Sequence, residues 1–422
     1  MRSEAKDLGT SRTGGGKLGP LPPSPRRRLG ILAICCTSLF IVSLDNTVVN
    51  VALPSIGRDL HASLSGLQWT VDAYTLVLAS FLLLAGSTAD RVGRRRTFQT
   101  GLVVFGSGSL LCSLAPNLEL LVAFRVLQAL GGSMLNPVAL SIITNTFTDR
   151  RERAQAIGMW GAVVGISMGL GPVLGGLLVT SVGWRSIFWI NVPIAMAACV
   201  LCAIYVPESK APRARRLDPT AQVLLIAGLA TLTYAIIEGP RRGWSSPWIL
   251  ACFGVFALAA LGLVAQERRS PEPLLDLRFF HSVPFSAATV IAVCAFAALG
   301  GFLFLNTLYL QQARGLSALQ AGLDTLPMAA VTAIAAPISG ALVGRRGARI
   351  PLVVSGVLLF AAGIMLTRIT DSTPFSWLFG SYFVFGLGFG LVNAPITNTA
   401  VSGMPDAQAG VAAAVASTSR QV

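Results

Sequence analysis

Twelve apolar runs follow one another along this chain with short polar islands between them, each near the ~20 residues needed to cross the hydrocarbon core of a bilayer. They fall at 29–54, 67–89, 97–114, 118–143, 156–179, 187–206, 220–237, 247–264, 284–310, 319–343, 350–366 and 375–396. Lipid is the natural home of so much apolar surface, and there the backbone must satisfy its own hydrogen bonds, so the runs are predicted to be helices. Composition agrees: 53% of the 422 residues are hydrophobic, 12% are charged, and the mean hydropathy is +0.69. A soluble protein of this size would lack the polar surface to stay dispersed. The expectation is an all-α polytopic membrane protein.

The net charge of +14 would suit nucleic acid, but the basic residues lie in islands between apolar runs, not along one aromatic-laced face, so no nucleic-acid partner is expected. Membrane orientation accounts for them better. With the N-terminus in the cytoplasm, 24 of the 32 lysines and arginines fall on the inner side, and six (Arg58, Arg185, Arg241, Arg242, Arg314 and Arg368) fall outside. This bias predicts a multi-pass protein of the cytoplasmic (inner) membrane. Residues 1–28, rich in Gly, Pro and Arg, are predicted to be a disordered cytoplasmic tail. The first run is too long for a signal-peptide core and is expected to be retained. All seven cysteines sit in apolar runs without metal-ligand spacing, and His61 and His281 stand alone, so neither disulfide nor metal is expected. Trp69, Trp184, Trp189, Trp244, Trp248 and Trp377 fall near predicted outer ends, as in an interfacial belt.

Two strings carry more than hydrophobicity. GSTADRVGRRR, at 86–96, reads as a short cytoplasmic hinge: Gly86 and Gly93 allow close helix approach, Asp90 can pair with basic neighbours, and the arginines anchor the loop inside. A plain positive-inside loop is the alternative. GISMGLGPVLGG, at 165–176, places Gly165, Gly169, Pro172 and Gly176 at helical spacing, with Gly171 and Gly175 beside them, so that one helix face is nearly smooth and a partner backbone can pack on it. Ordinary small-residue packing would read the same way.

A charge at mid-bilayer costs at least ~2.5–3.5 kcal/mol on insertion scales, so ionisable groups inside the runs are functional candidates. Asp45 is the foremost, with Asn46 and Asn50 giving a polar stretch to an otherwise apolar helix; hydrogen bonding to neighbouring helices is its structural alternative. Arg125 is the basic residue set deep in a run of the first half, and Gln128 follows one turn later on the same face. A fixed positive charge near a carboxylate favours its ionised form, although a packing ion pair is also open to Arg125. Asp72, Glu238 and Asp324 lie near predicted outer ends. Glu238 is read as part of a hydrated vestibule; Asn46, Asn50, Asp72, Gln128 and Asp324 are read as lining a substrate cavity, where Asp72 and Asp324 attract cationic substrates.

With LDNTVVNVALP (44–54), FRVLQALGGS (124–133) and WRSIFWINVP (184–193) added in order to these two strings, the chain resembles the major facilitator superfamily, and within it the 14-span drug:proton antiporters of the EmrB/QacA type. The resemblance runs from residue 28 to 422. It implies a fold of two parallel six-helix repeats with an inserted helix pair. It further implies that Asp45 couples protons, that Arg125 transmits protonation to substrate release, and that the first loop latches a cytoplasmic gate through Asp90, Arg91 and Arg94. The smooth face of span five would seal the closed side against a second-half helix. The implied function is proton-coupled efflux of small amphipathic drugs or antibiotics by alternating access, with the proton motive force as energy source. The glycine-rich strings lack GxxxxGK[ST], so neither ATP nor another cofactor is expected, and no enzymatic activity or obligate protein partner is inferred. A proton-coupled importer of a small metabolite and a non-transporting membrane sensor remain as alternatives.

GALVGRRGAR, at 340–349, looks like a degraded copy of the first loop, as expected of parallel repeats. That register gives a first bundle at 29–206, a linker with two inserted spans at 207–283, and a second bundle at 284–422 that is incomplete beside a 14-span protein. GVAAAVASTSRQV, at 410–422, leads into another helix in the family, so the sequence is expected to be a shortened 14-span protein; a 12-span transporter with an accidental echo loop is the competing view. The 29 arginines against three lysines, with abundant Ala and Gly, point to a GC-rich genome.

Overall fold

The computed structural model describes residues 24–211, 218–270 and 277–402, and these are helical with no strand among them. The string at 410–422 and most of the predicted tail lie outside the described residues. The helices are α1 (Pro25–Asp59), α2 (Leu64–Val92), α3 (Arg94–Ser113), α4 (Leu118–Thr146), α5 (Arg150–Ser181), the four-residue α6 (Ser186–Trp189), α7 (Asn191–Tyr205), α8 (Pro219–Arg242), α9 (Pro247–Arg269), α10 (Val283–Leu308), α11 (Ala318–Asp324), α12 (Leu326–Arg346), α13 (Arg349–Leu366) and α14 (Phe375–Ser402). Among the described residues, ten segments are long and apolar enough to cross a membrane, or eleven with α2, which bends by 51° between Leu64–Leu82 and Leu84–Val92. The remaining expected span, the third, is α3, which is helical over 20 residues, but its three arginines and its glycines and serines lower its apolarity.

Helix ends follow local chemistry. Ser24 caps α1 and Pro25 occupies its first position, where a missing N–H costs nothing. The helix therefore begins inside the predicted tail, and residues 25–28 are a correction to that expectation. Asn117 accepts from Leu120 N–H at 2.9 Å to start α4, and Asp149 accepts from Arg151 and Glu152 N–H to start α5. The sixth span is broken between α6 and α7 because Pro193 has no N–H for the carbonyl four residues back. Pro327 stands in the same relation to the break at Thr325 between α11 and α12.

The chain packs as two halves. α1 to α7 form the first, in which α4 lies against both α2 and α3, and α1 against α5 and α7. In the second, α14 lies against both α12 and α13, and also against α10. The four spans α10, α11–α12, α13 and α14 thus repeat the packing of the first four, and the two related loops turn alike: Gly93 (φ 130°) joins α2 to α3 and Gly347 (φ 79°) joins α12 to α13. α8 and α9 pack on each other and α8 on α2, where Gln222 Nε2 donates to the Ser80 carbonyl at 2.6 Å.

The halves meet through α5 on α11 and α12, and through α1 on α10 and α11. The α5–α11 crossing is main chain against main chain. A Cβ at Gly176 would stand 2.5 Å from the Ala318 oxygen, and one at Gly322 would stand 2.2 Å from the Pro172 oxygen. Beside it, α10 ends in a π-helical turn, Tyr309–Ala313, whose Gln311 Nε2 donates to the Val51 carbonyl of α1 at 2.8 Å.

Candidate functional site

At the centre of the first half, five helices converge on one carboxylate. Asp45, buried on α1, receives Arg125 Nη1 from α4 on Oδ2; its Oδ1 receives Gln128 Nε2 at 2.9 Å and Asn191 Nδ2 from α7 at 3.0 Å. Arg125 Nη1 also reaches Gln128 Oε1 at 2.8 Å, and its Nε donates to the Thr70 carbonyl of α2 at 3.1 Å. The guanidinium lies over the Tyr74 ring, 4.0 Å from the centroid, with Phe188 at 5.7 Å. Ser109 of α3 closes the cluster, accepting from Gln128 and Asn191 and donating to the Phe188 carbonyl at 2.8 Å. Charges this deep persist only when paired and hydrogen-bonded, and here both are. Some capacity is left over: Arg125 Nη2, Tyr74 Oη and Asn191 Oδ1 are buried without a hydrogen-bond partner.

The i, i+3 relation of Arg125 and Gln128 puts both on one face of α4, as their spacing predicts. The break before α7 delivers Asn191. As the first residue after the interruption forced by Pro193, it turns its side chain inward. Sequence reasoning missed Asn191, Ser109, Thr70 and Tyr74 as partners. Asn191 lay within a quoted string, and a single amide in an apolar run was its one signal.

Further along α1, the polar residues face the second half. Thr47 and Asn50, with Pro172 of α5, line a narrow crevice against Asn306 and Thr307 of α10 and Ala321 of α11. Asn50 Nδ2 donates to the Asn46 carbonyl at 2.8 Å, while Asn46 Oδ1 is buried without a partner. Asn306 Oδ1 accepts from Tyr382 Oη of α14 at 2.5 Å, a buried second-half pair with no sequence expectation. Asp72 and Asp324 are half-buried on α2 and at the end of α11, and neither joins the Asp45 cluster.

Several expectations need correction. The glycine string of α5 has two packing faces, not one. Gly171 and Gly175 fit against Thr47 and Val48 of α1, and Gly176 and Pro172 against α11. Gly169 makes only an ordinary contact with Ala329, and Gly165 has nothing within 4 Å. The first loop engages its own half. Arg94 pairs with Asp90 at 2.9 Å, and Glu208, just after α7, accepts from Arg95 and Arg96 N–H at 3.1 and 3.3 Å. Arg91 is exposed in the last turn of α2, and Gly86 makes a loose contact with Pro137, so the tight approach in this string is at Gly93 alone, against Glu208. Glu238 does not open to a vestibule: it is buried, paired with Arg241 at 2.6 Å and Arg242 at 3.6 Å, and receives Trp69 Nε1 at 3.3 Å, tying α8 to α2. Trp184 is likewise buried, donating to Asp59 at 2.9 Å, while Trp189, Trp244 and Trp248 remain exposed as a belt requires.

Residues 35–422 match the Major Facilitator Superfamily profile. The chain belongs to the major facilitator superfamily. It is therefore a multi-pass membrane transporter, of a family that moves solutes without transforming them. It is 37% identical over 397 residues to "Multidrug resistance protein Stp" of Mycobacterium tuberculosis, covering 94% of this chain and 74% of that protein. It is 38% identical over 395 residues to "Tetracenomycin C resistance and export protein" of Streptomyces glaucescens, covering 93% and 73%. It is 35% identical over 420 residues to "Methylenomycin A resistance protein" of Streptomyces coelicolor, covering 98% and 87%. Among solved structures, a bacterial homolog of the human lysosomal transporter Spinster, inward-facing and unoccupied, superposes with a TM-score of 0.66 at 18% identity over 94% of this chain and 81% of that one. The peptide transporter POT in complex with sulfate gives 0.68 at 14% identity over 93% and 86%. These two likenesses show the fold.

Proposed function

We propose that this superfamily member exports small amphipathic drugs or antibiotics across the cytoplasmic membrane in exchange for protons, with its N-terminus in the cytoplasm. The observation that carries the reading is the buried Asp45–Arg125 pair with Gln128 and Asn191 around it. The guanidinium stays charged at any working pH, so a proton arriving on Asp45 removes the countercharge and leaves a lone cation in a low-dielectric core. That state is relieved by repacking or by admitting water. α1 links the two events: one turn beyond Asp45 its surface touches α5 at Gly171 and Gly175, and at Val51 it accepts the hydrogen bond of Gln311 from the other half. Protonation at Asp45 is thereby coupled to the contact between halves at Val51, less than two turns further along the same helix.

The contacts between halves cluster at the end of α5 that holds Gly176, whereas Gly158, Gly161 and Gly165 toward its arginine-rich start have nothing within 4 Å. This arrangement supports a state closed outside and open inside, ready to receive substrate from the cytoplasm or inner leaflet. The names of the relatives, all resistance or export proteins, support the outward direction. The proton motive force supplies the energy, ~2.3 kcal/mol per charge per 100 mV from the potential alone.

The test is proton movement in inverted membrane vesicles challenged with a panel of antibiotics and cationic dyes, wild type beside Asp45→Asn. Substrate-triggered loss of the pH gradient is expected, at least tenfold weaker in the variant. No response from inserted, folded wild type would sink export, and an unchanged response in the variant would sink the role of Asp45.

A further inference from the structure

On the outside of the first half, α1 and α7 part to leave a groove of about 550 Å³. Gly30, Ala33 and Thr37 recur along one face of α1 and keep that wall low, Pro193 and Ala197 belong to the α7 wall, and Tyr205 closes one end. None of the described lining residues is acidic. At 1.5 Å per residue the α7 wall from Pro193 to Tyr205 runs about 18 Å, close to one leaflet's half of the ~30 Å hydrocarbon core.

The closed end is the charged end. Tyr205 is the last residue of α7, its ring lies 3.5 Å from where a Cβ of Gly30 would stand, and its carbonyl accepts from Arg27 Nε at 2.9 Å. That bond fixes the Arg27 guanidinium at this end of the groove, with exposed Arg26 beside it. Arg28, in the same turn, donates to Glu152 at 2.9 Å, so that acid is already paired. A leaflet-long apolar trough ending in anchored, solvent-facing arginines has the polarity of a phospholipid.

We propose that this groove seats one anionic phospholipid from the leaflet that holds the start of α1, with an acyl chain along α1 and α7 and the phosphate between Arg26 and Arg27. A zwitterionic lipid fits the trough but gains less from the arginines. A second copy of the chain, oriented alike in the membrane, would bring its own basic first turn to the same level and be repelled. The bound lipid would brace the first three turns of α1, the helix that carries Asp45.

The experiment uses the full chain extracted from vesicles of equal phosphatidylglycerol and phosphatidylcholine, with retained lipid counted by native mass spectrometry. One tightly held phosphatidylglycerol per chain is expected, favoured roughly five-fold or more over phosphatidylcholine. Arg26→Gln with Arg27→Gln should bring the preference near unity, and Ala33→Leu, at an exposed wall position, should lower retention of both lipids. Thr37→Leu serves the same purpose if Ala33→Leu fails to fold. Equal retention of the two lipids by wild type, undiminished retention in the filled-groove variants, or a dimer that those variants dissociate would each overturn the proposal.

Discussion

Asp45 and Arg125 depend on each other more than on anything else around them. Arg125 is fully buried, and taking one partner from a buried ion pair costs roughly 3–5 kcal/mol because the other charge is left uncompensated. Arg125→Met is therefore expected to lower stability by about that much, while Asp45→Asn combined with Arg125→Met recovers at least half of the loss. Unfolding in detergent micelles checks this, and a double variant no more stable than Arg125→Met would contradict it. Both members of this pair were legible in the sequence, since a charge in an apolar run stands out by cost alone. Asn191, Ser109 and Tyr74 were not, because neutral polar residues occur in any span and only the break at Pro193 and the packing of α3 aim them at the carboxylate. Glu238 was misread for the opposite reason: its place at a span end implied water, and nothing local announced that Trp69 would arrive from α2.

Among the elements, the two related loops differ in what surrounds their glycines. Gly93 and Gly347 both hold a positive φ that other residues adopt at a cost of order 1–3 kcal/mol. At Gly93 a Cβ would also stand 2.6 Å from Glu208 Oε1 and displace the carboxylate from the N–H groups of Arg95 and Arg96, whereas Gly347 has open space. Gly93→Ala should thus destabilise the protein more than Gly347→Ala, by about the 1 kcal/mol typical of a lost helix cap. Adding Glu208→Ala to each should make the two effects equal; a gap that survives would reject this account. The echo between these loops was visible as letters. That Glu208, 113 residues from Arg95 in the chain, caps α3 was not, since a lone acid after a span carries no sign of its partner.

For the whole molecule, the order of spans and the two-half plan could be read from repeated runs and loops, but the seam between the halves could not. One periodic face had been expected on α5, and the helix turned out to divide its glycines between α1 and α11. Val51 and Gln311 mark that seam beside the crossing. Cysteines placed at these two positions, in a background without the seven native thiols, are expected to be joined by a short bis-thiol reagent, and the joined protein should stop transporting and regain activity when a cleavable reagent is reduced. Full transport after joining would show that the seam does not open.

The crossing of α5 and α11 also limits how this protein can change over generations. Where side chain meets side chain, one enlargement can be offset by shrinking its neighbour. At Gly176 and Gly322 the opposing atoms include carbonyl oxygens and an α-carbon, which every amino acid possesses. No exchange at Ala318, Leu319 or Pro172 can remove them, so revertants of a larger residue here must come from positions that shift whole helices. Adaptation toward new drugs is thereby directed to the crevice and the cavity walls, and away from the crossing where the halves meet.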